Sequence, residues 1–214
     1  MEFRDRYEAG RVLASALGAW RGQSELVVLA LPRGGVPVAW EVAQALQAPL
    51  DVLVVRKLGF PGQEELAMGA IGPGGVRVMS DVPRIWPVSD AEVEQVVERE
   101  QAELARRERL YRGERAPLAV AGRVAILVDD GLATGATMHA GVLAVRAMQA
   151  QRIVVAVPVG SREAAQLLNT VADEVVCVHV PEPFRAVGIW YEDFGQTRDE
   201  EVRGLLQGEG AQPD

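Results

Sequence analysis

Five short, almost wholly apolar runs constrain what this chain can fold into. They are Leu26–Leu31 (LVVLAL), Val52–Val55, Val124–Val128 (VAILV), Ile153–Val157 and Val175–Val180. A strand with one wet face alternates polar and apolar residues, whereas a continuous apolar run is expected where both faces are buried. Helical spacing fills the stretches between them. Phe3, Tyr7, Val12, Leu13 and Leu17 place a leading helix over about 4–19. A second helix follows the first run and extends through Leu46. Ser89 with Glu92 gives a capping-box signature for a long charged helix over about 90–110. Two more helices are predicted to about 149 and, capped by Ser161, to about 170. Buried strands alternating with helices predict an α/β fold: a mainly parallel sheet core flanked by helices.

Two other segments break that pattern. Residues 57–66 (KLGFPGQEEL) read as a mobile loop, and Ala67–Ile71 with Val76–Ser80 around GPGG read as a hairpin. The tail from about 204 is expected to fray.

Composition narrows the function. A chain of 214 residues with 49% hydrophobic and 24% charged residues has the balance of one soluble domain over 1–214. No apolar run reaches the ~18–20 residues that cross a bilayer, and MEFRDRYEAGR lacks the apolar centre of a signal peptide. A cytoplasmic protein without a membrane partner is the expectation. The single cysteine, Cys177, excludes an intramolecular disulfide and a cysteine-cluster metal site. A net charge of −8 weighs against non-specific nucleic-acid binding, which draws on excess Lys and Arg. Of the 22 basic residues only Lys57 is lysine, which raises a functional question about that position.

The chemistry concentrates after Val128. Asp129 and Asp130 end an apolar strand, and Gly131, Leu132, Ala133, Thr134, Gly135, Ala136 and Thr137 lead into a helix. Glycines let backbone N–H groups approach an anion, and a helix start adds unpaired donors and a favourable dipole. Thr134 and Thr137 offer hydroxyl donors. The carboxylates would repel phosphate, so they suit hydroxyl donors such as those of a ribose, or a metal held through water. Neither a Gly-Lys-Ser/Thr phosphate loop nor a G-x-G-x-x-G fingerprint is present.

ILVDDGLATGAT (126–137) resembles the phosphoribosyl-pyrophosphate (PRPP) motif of type I phosphoribosyltransferases. Gly131 departs from that motif, where an aliphatic residue is usual. The resemblance implies that Asp129 and Asp130 bind the ribose 2′ and 3′ hydroxyls and that the following loop cradles the 5′-phosphate. It places Pro32-Arg33-Gly34-Gly35 as the pyrophosphate loop, often with a non-proline cis peptide, and Lys57 beside the pyrophosphate. It makes 58–66 with the hairpin a flexible catalytic loop that brings Glu64 and Glu65 to the site when it closes, the competing reading being that they are ordinary surface acids. It implies Mg²⁺ as cofactor, PRPP and a nucleobase as partners, a place in nucleotide salvage, and, since many members are dimers, a homodimer. Arg33, Lys57, Asp129 and Asp130 are the catalytic candidates.

The family's acceptor is held by a variable hood. PEPFRAVGIWYEDF, within 181–200, fits that position and carries four of the eleven aromatic residues. Phe184 and Trp190 are candidates to stack on a base, the Val187 backbone to read its edge, and Asp193 to help hold a second Mg²⁺. The competing reading of these aromatics is a hydrophobic plug. Acceptor identity stays open: the 6-oxopurine members place an acid where this chain has Ala133. Within a core of about 22–180, the helix of about 88–112 is an insertion that extends the hood or forms an oligomer surface. His139 and His179 read as structural, and Cys177 as inert packing. The alternative to transfer is a noncatalytic PRPP- or nucleotide-sensing regulator on the same fold.

Overall fold

The computed structural model describes residues 2–81, 85 and 88–208, without the side chain of Glu65. Helix α1 (Arg6–Ala16) starts at Asp5, whose carboxylate accepts from the Glu8 N–H. Strand β1 (Leu26–Ala30) runs to helix α2 (Gly35–Leu46) and the short strand β2 (Leu50–Val52). Strands β3 (Arg56–Phe60), β4 (Gln63–Gly72) and β5 (Val76–Met79) follow, then helix α3 (Asp90–Arg112). Strand β6 (Val124–Val128), helix α4 (Ala136–Ala147), strand β7 (Arg152–Val159), helix α5 (Arg162–Asn169) and strand β8 (Glu174–His179) complete the alternation. Helix α6 is Asp199–Gln207.

The main sheet has five parallel strands in the order β2-β1-β6-β7-β8. The fully buried runs of β1 and β6 occupy its middle, in register from Leu26↔Val124 to Ala30↔Val128. From β1 the chain moves to one edge through β2, and from β6 to the other through β7 and β8. The crevice between β1 and β6 is therefore the switch point of the sheet, where open α/β proteins bind ligands beyond the strand ends. Residues on one face (Val28, Ile126, Val154) pack under α1 and α2, and those on the other (Leu29, Leu127, Val155) under α4 and α5. Among the described residues, no helix is long and apolar enough to cross a membrane.

Three elements differ from expectation. The second apolar run begins its strand early, at Leu50, and Leu53–Val55 is buried without being a strand. Residues 57–66 are an ordered antiparallel ribbon, β3 with β4, turning at Pro61-Gly62, rather than an irregular loop. Gly59, Pro61 and Gly62 hid its alternation, in which Leu58, Phe60 and Met68 turn into the core. β4 then pairs with β5 through the GPGG turn, where Gly74 and Gly75 take positive φ values of 69° and 78°. Finally, Gly204–Gln207 belongs to α6, which buries Val202, Leu205 and Leu206 instead of fraying.

The capping box at Ser89 and Glu92 forms as expected. α3 is not solvated all round: Val93, Val96, Val97, Leu104 and Tyr111 are buried, and the helix lies across β3, β4 and α6. At its C-terminal end, Arg112 grips Asp51 of β2 through two hydrogen bonds of 3.0 Å. Bidentate pairing fixes a helix in register as well as in place.

Candidate active site

The loops after β1 and β6 meet at the switch point. Leu31 N–H donates to Val128 O at 2.9 Å, carrying the sheet ladder one residue past β1. The Pro32–Arg33 peptide bond beyond it is cis, as the resemblance implied. Gly34 and Gly35 then pass so close to the acids that side chains would collide. A Cβ on Gly34 would lie 2.1 Å from Asp130 Oδ2, and one on Gly35 would lie 2.9 Å from Asp129 Cα. The sequence separates these residues by nearly a hundred positions; the parallel pairing of β1 with β6 brings them together.

The acid pair keeps a small exposed surface but is surrounded by protein. Burial, then the neighbouring Asp130 charge, pushes the Asp129 carboxyl well above the usual range. Burial also raises Asp130, opposed by Arg6. The Arg6 guanidinium, from α1, lies with Nε and Nη2 each 2.9 Å from Asp130 Oδ2. Its Nη1 donates to Gly195 O at 2.7 Å, and its Cζ sits 4.0 Å above the Phe194 ring. The Tyr191 hydroxyl donates to Asp130 O at 2.6 Å. Arg6, Tyr191 and Phe194 are thus part of the site although sequence reasoning gave none of them a role. An arginine in an amphipathic helix carries no local signal that it will reach a carboxylate 124 positions away.

The phosphate-loop candidates divide. Ala133, Thr134, Ala136 and Thr137 are exposed at the mouth, at the open N-terminus of α4, and Gly135 takes φ 74° as its N-cap. Leu132 is corrected from ligand donor to anchor. Its side chain is core, its N–H donates to Val159 O and its carbonyl accepts from Ser161 N–H, both at 2.9 Å. Gly131 is explained by the hood: a Cβ there would lie 2.5 Å from Val187 Cγ1. The missing side chain makes room for Val187 to sit on the loop. Ser161 caps α5 through Ala164 N–H and donates to Ala133 O at 2.7 Å. Ser161→Ala removes the cap and leaves that carbonyl unpaired, so unfolding in urea should show a loss of about 1–3 kcal/mol.

The remaining candidates spread outward. Lys57, Pro32 and Thr137 share a cleft of about 440 Å³ with Glu64. Arg33 points toward α6, its Nη1 3.8 Å from Asp199 Oδ1, which also accepts from Tyr111. Trp190 packs edge-on against His179, with ring centres 4.9 Å apart, and its indole N–H is buried without a partner among the described residues. Phe184, Val187 and Trp190 join Phe3 and Tyr191 in a small apolar cluster, the plug arrangement. Asp193 is exposed and accepts from Gly195 N–H at 2.9 Å; among the described residues no group of three acids, histidines or cysteines forms a metal cage. Cys177 is inert as read: burial pushes its thiol up to about 11, and it donates to His179 O.

A buried acid pair beside a glycine-rich turn thus lies at the switch point of a parallel sheet, where open α/β proteins bind ligands. The family comparison agrees: this chain belongs to the phosphoribosyl transferase domain family, which matches residues 8–189. Two Mycobacterium tuberculosis proteins (strains H37Rv and CDC 1551), each named only provisionally as a phosphoribosyl transferase, are 51% identical over 205 residues, 95% of this chain. The chain spans about half the length of these relatives, 46%. The crystal structure of TT1426 from Thermus thermophilus is similar over 99% of this chain and 100% of its own, with 45% identity and a TM-score of 0.90.

Proposed function

We propose that this chain transfers the 5-phosphoribosyl group of PRPP to a nitrogen acceptor, a nucleobase being the leading class, with release of pyrophosphate. The observation that carries this reading is the packing of Gly34 and Gly35 onto Asp129 and Asp130 at the crevice between β1 and β6. It sets a glycine turn and two carboxylates side by side, with the open start of α4 beyond them.

In this reading Asp129 and Asp130 accept hydrogen bonds from the ribose hydroxyls, and Arg6 favours the charged form of Asp130 against burial. Backbone N–H groups of 133–137 with Thr134 and Thr137 take the 5′-phosphate. The acceptor attacks C1, the C1–O bond to pyrophosphate breaks, and its electron pair leaves with the diphosphate. Arg33, Lys57 and the Gly34–Gly35 turn meet the negative charge that accumulates there, and the acid pair favours the positive charge on the ribose. The donor set fits Mg²⁺, a hard cation that prefers carboxylate and phosphate oxygens and keeps several waters. Asp129 and Asp130 would hold it through water together with the ligand, Asp193 would help hold a second ion, and the metal would supply charge neutralisation of the diphosphate. Phe184, Val187 and Trp190 bound the acceptor side. The site works within one domain of 1–214 in a cytoplasmic setting.

The test is pyrophosphate release from PRPP with Mg²⁺ across purine and pyrimidine bases. Hydrogen bonds to charged groups are worth about 1.5–3 kcal/mol each, so Asp129→Asn with Asp130→Asn should slow turnover by roughly 10²–10⁴-fold. Undiminished turnover in that variant would sink the reading. PRPP binding without turnover on any base would move the assignment to a PRPP sensor.

A further inference from the structure

α3 is the element that neither the motifs nor the proposed reaction uses. Its middle forms one wall of the cleft of about 440 Å³ whose other wall carries Pro32 and Lys57, next to the proposed diphosphate turn. From α3 come Arg99, Glu100 and Arg107; from β3 come Arg56 and Lys57, with Pro32 from the loop after β1 and Thr137 from the start of α4. Such a volume is in the usual range for a small-molecule site.

The charge of this cleft opposes that of the protein. The whole chain carries −8, yet among the described side chains Arg56, Lys57, Arg99 and Arg107 line the cleft with two carboxylates, Glu64 and Glu100. The pairing is also short of acid. Arg56 and Arg99 share the buried Glu100, at 2.6 Å and 3.1 Å. Arg106 and Arg107 share Glu103, at 2.8 Å and 2.7 Å. One carboxylate for two guanidiniums leaves uncompensated positive charge facing the cleft, and field lines concentrate in such a concavity. The helix is held there firmly, by Arg112 on Asp51 and by Tyr111 on Asp199, the carboxylate that also faces Arg33. A cationic wall beside a diphosphate turn suits a polyanion.

We propose that α3 is a diphosphate clamp: Arg99 and Arg107 bind the pyrophosphate end of the ligand from the side opposite Arg33 and Lys57. This rests on the proposed reading of the site. Planar guanidiniums pair with phosphate oxygens two at a time, and Arg107 can turn to a phosphate while Arg106 continues to satisfy Glu103.

The test uses calorimetry with two separate probes, pyrophosphate and ribose 5-phosphate, each with Mg²⁺. Arg99→Gln with Arg107→Gln should weaken pyrophosphate binding about ten-fold, from the usual worth of charge-assisted bonds, and leave ribose 5-phosphate unchanged. Arg109→Gln with Arg123→Gln removes the same charge outside the cleft and should leave both ligands unchanged. Equal loss of pyrophosphate affinity in the two double variants would assign the effect to net charge and overturn the clamp. So would unchanged affinity in the first, or equal weakening of both probes. Wild-type binding of ribose 5-phosphate without pyrophosphate overturns the clamp alone. Binding of neither probe overturns the reading beneath it as well.

Discussion

Replacing Arg6 by glutamine should lower stability by about 3–5 kcal/mol at pH 8, the range for removing one partner of a buried ion pair. Arg6 and Asp130 side chains are only 12% and 15% exposed. The loss should appear as a fall in Tm of roughly 6–20 °C, taking about 2–4 °C per kcal/mol for a chain of this size. The pH dependence identifies the cause. Burial already raises the Asp130 carboxyl and Arg6 opposes it. Without Arg6 the folded-state pKa rises further while the unfolded value stays. A raised carboxyl costs stability above its folded pKa, and the cost disappears as pH falls through that value. The gap in Tm between the variant and the wild type should therefore narrow on acidification, measured by calorimetry at pH 8 and pH 5. Adding Asp130→Asn to Arg6→Gln should restore most of the loss at pH 8. A pH-independent gap that Asp130→Asn does not close would assign Arg6 to packing on Phe194 and Gly195 alone.

This ion pair also marks the border of what could be read from the residues. The parallel core was legible because a strand buried on both faces must be apolar throughout, and β1, β6 and, beyond Arg152, β7 are. The acid pair and its loop were legible because a local run of acids, glycines and threonines carries its chemistry in order. Three features were not. The β3–β4 ribbon was obscured because Gly59, Pro61 and Gly62 act as breakers in isolation, yet Gly59 sits where a Cβ would meet Glu64 O at 2.7 Å. The partners of the acids come from α1 and from the segment after β8, at the two ends of the described chain, and only the closed fold joins them. The glycine at 131 departed from the family pattern until Val187 was seen above it. In each case the missing information was a contact distant in sequence. Local propensity has no access to such contacts, whereas burial pattern does.

Asp129→Asn should move stability and transfer in opposite directions. Among the described residues Asp129 is held without a cation of its own, beside a second carboxylate, and its carboxyl is pushed well up by burial first and by Asp130 second. At neutral pH the ionised form is therefore disfavoured in the fold relative to the unfolded chain. The asparagine oxygen keeps the acceptor for Asp130 N–H, now 2.8 Å from Asp129 Oδ1. Its NH₂ supplies a donor beside the Asp130 carboxylate, where two acids would otherwise repel. Removing the buried charge should raise Tm at pH 8. The sign follows from linkage: wild-type Asp129 is fully destabilising above its raised folded pKa, and the cost fades as pH falls below it toward the unfolded carboxylate value. The advantage of the variant should thus shrink as pH falls through that value, and calorimetry across pH 8 to pH 5 would trace it. Pyrophosphate release should fall at the same time, by roughly 10–100-fold, because a charged acceptor for a ribose hydroxyl has been replaced by a neutral one. A variant that is more stable and less active would show that the acid is kept at a structural cost for its chemistry. A variant that loses stability at pH 8 would mean that Asp129 is held neutral or paired within the fold, and the electrostatic account of this site would then be wrong.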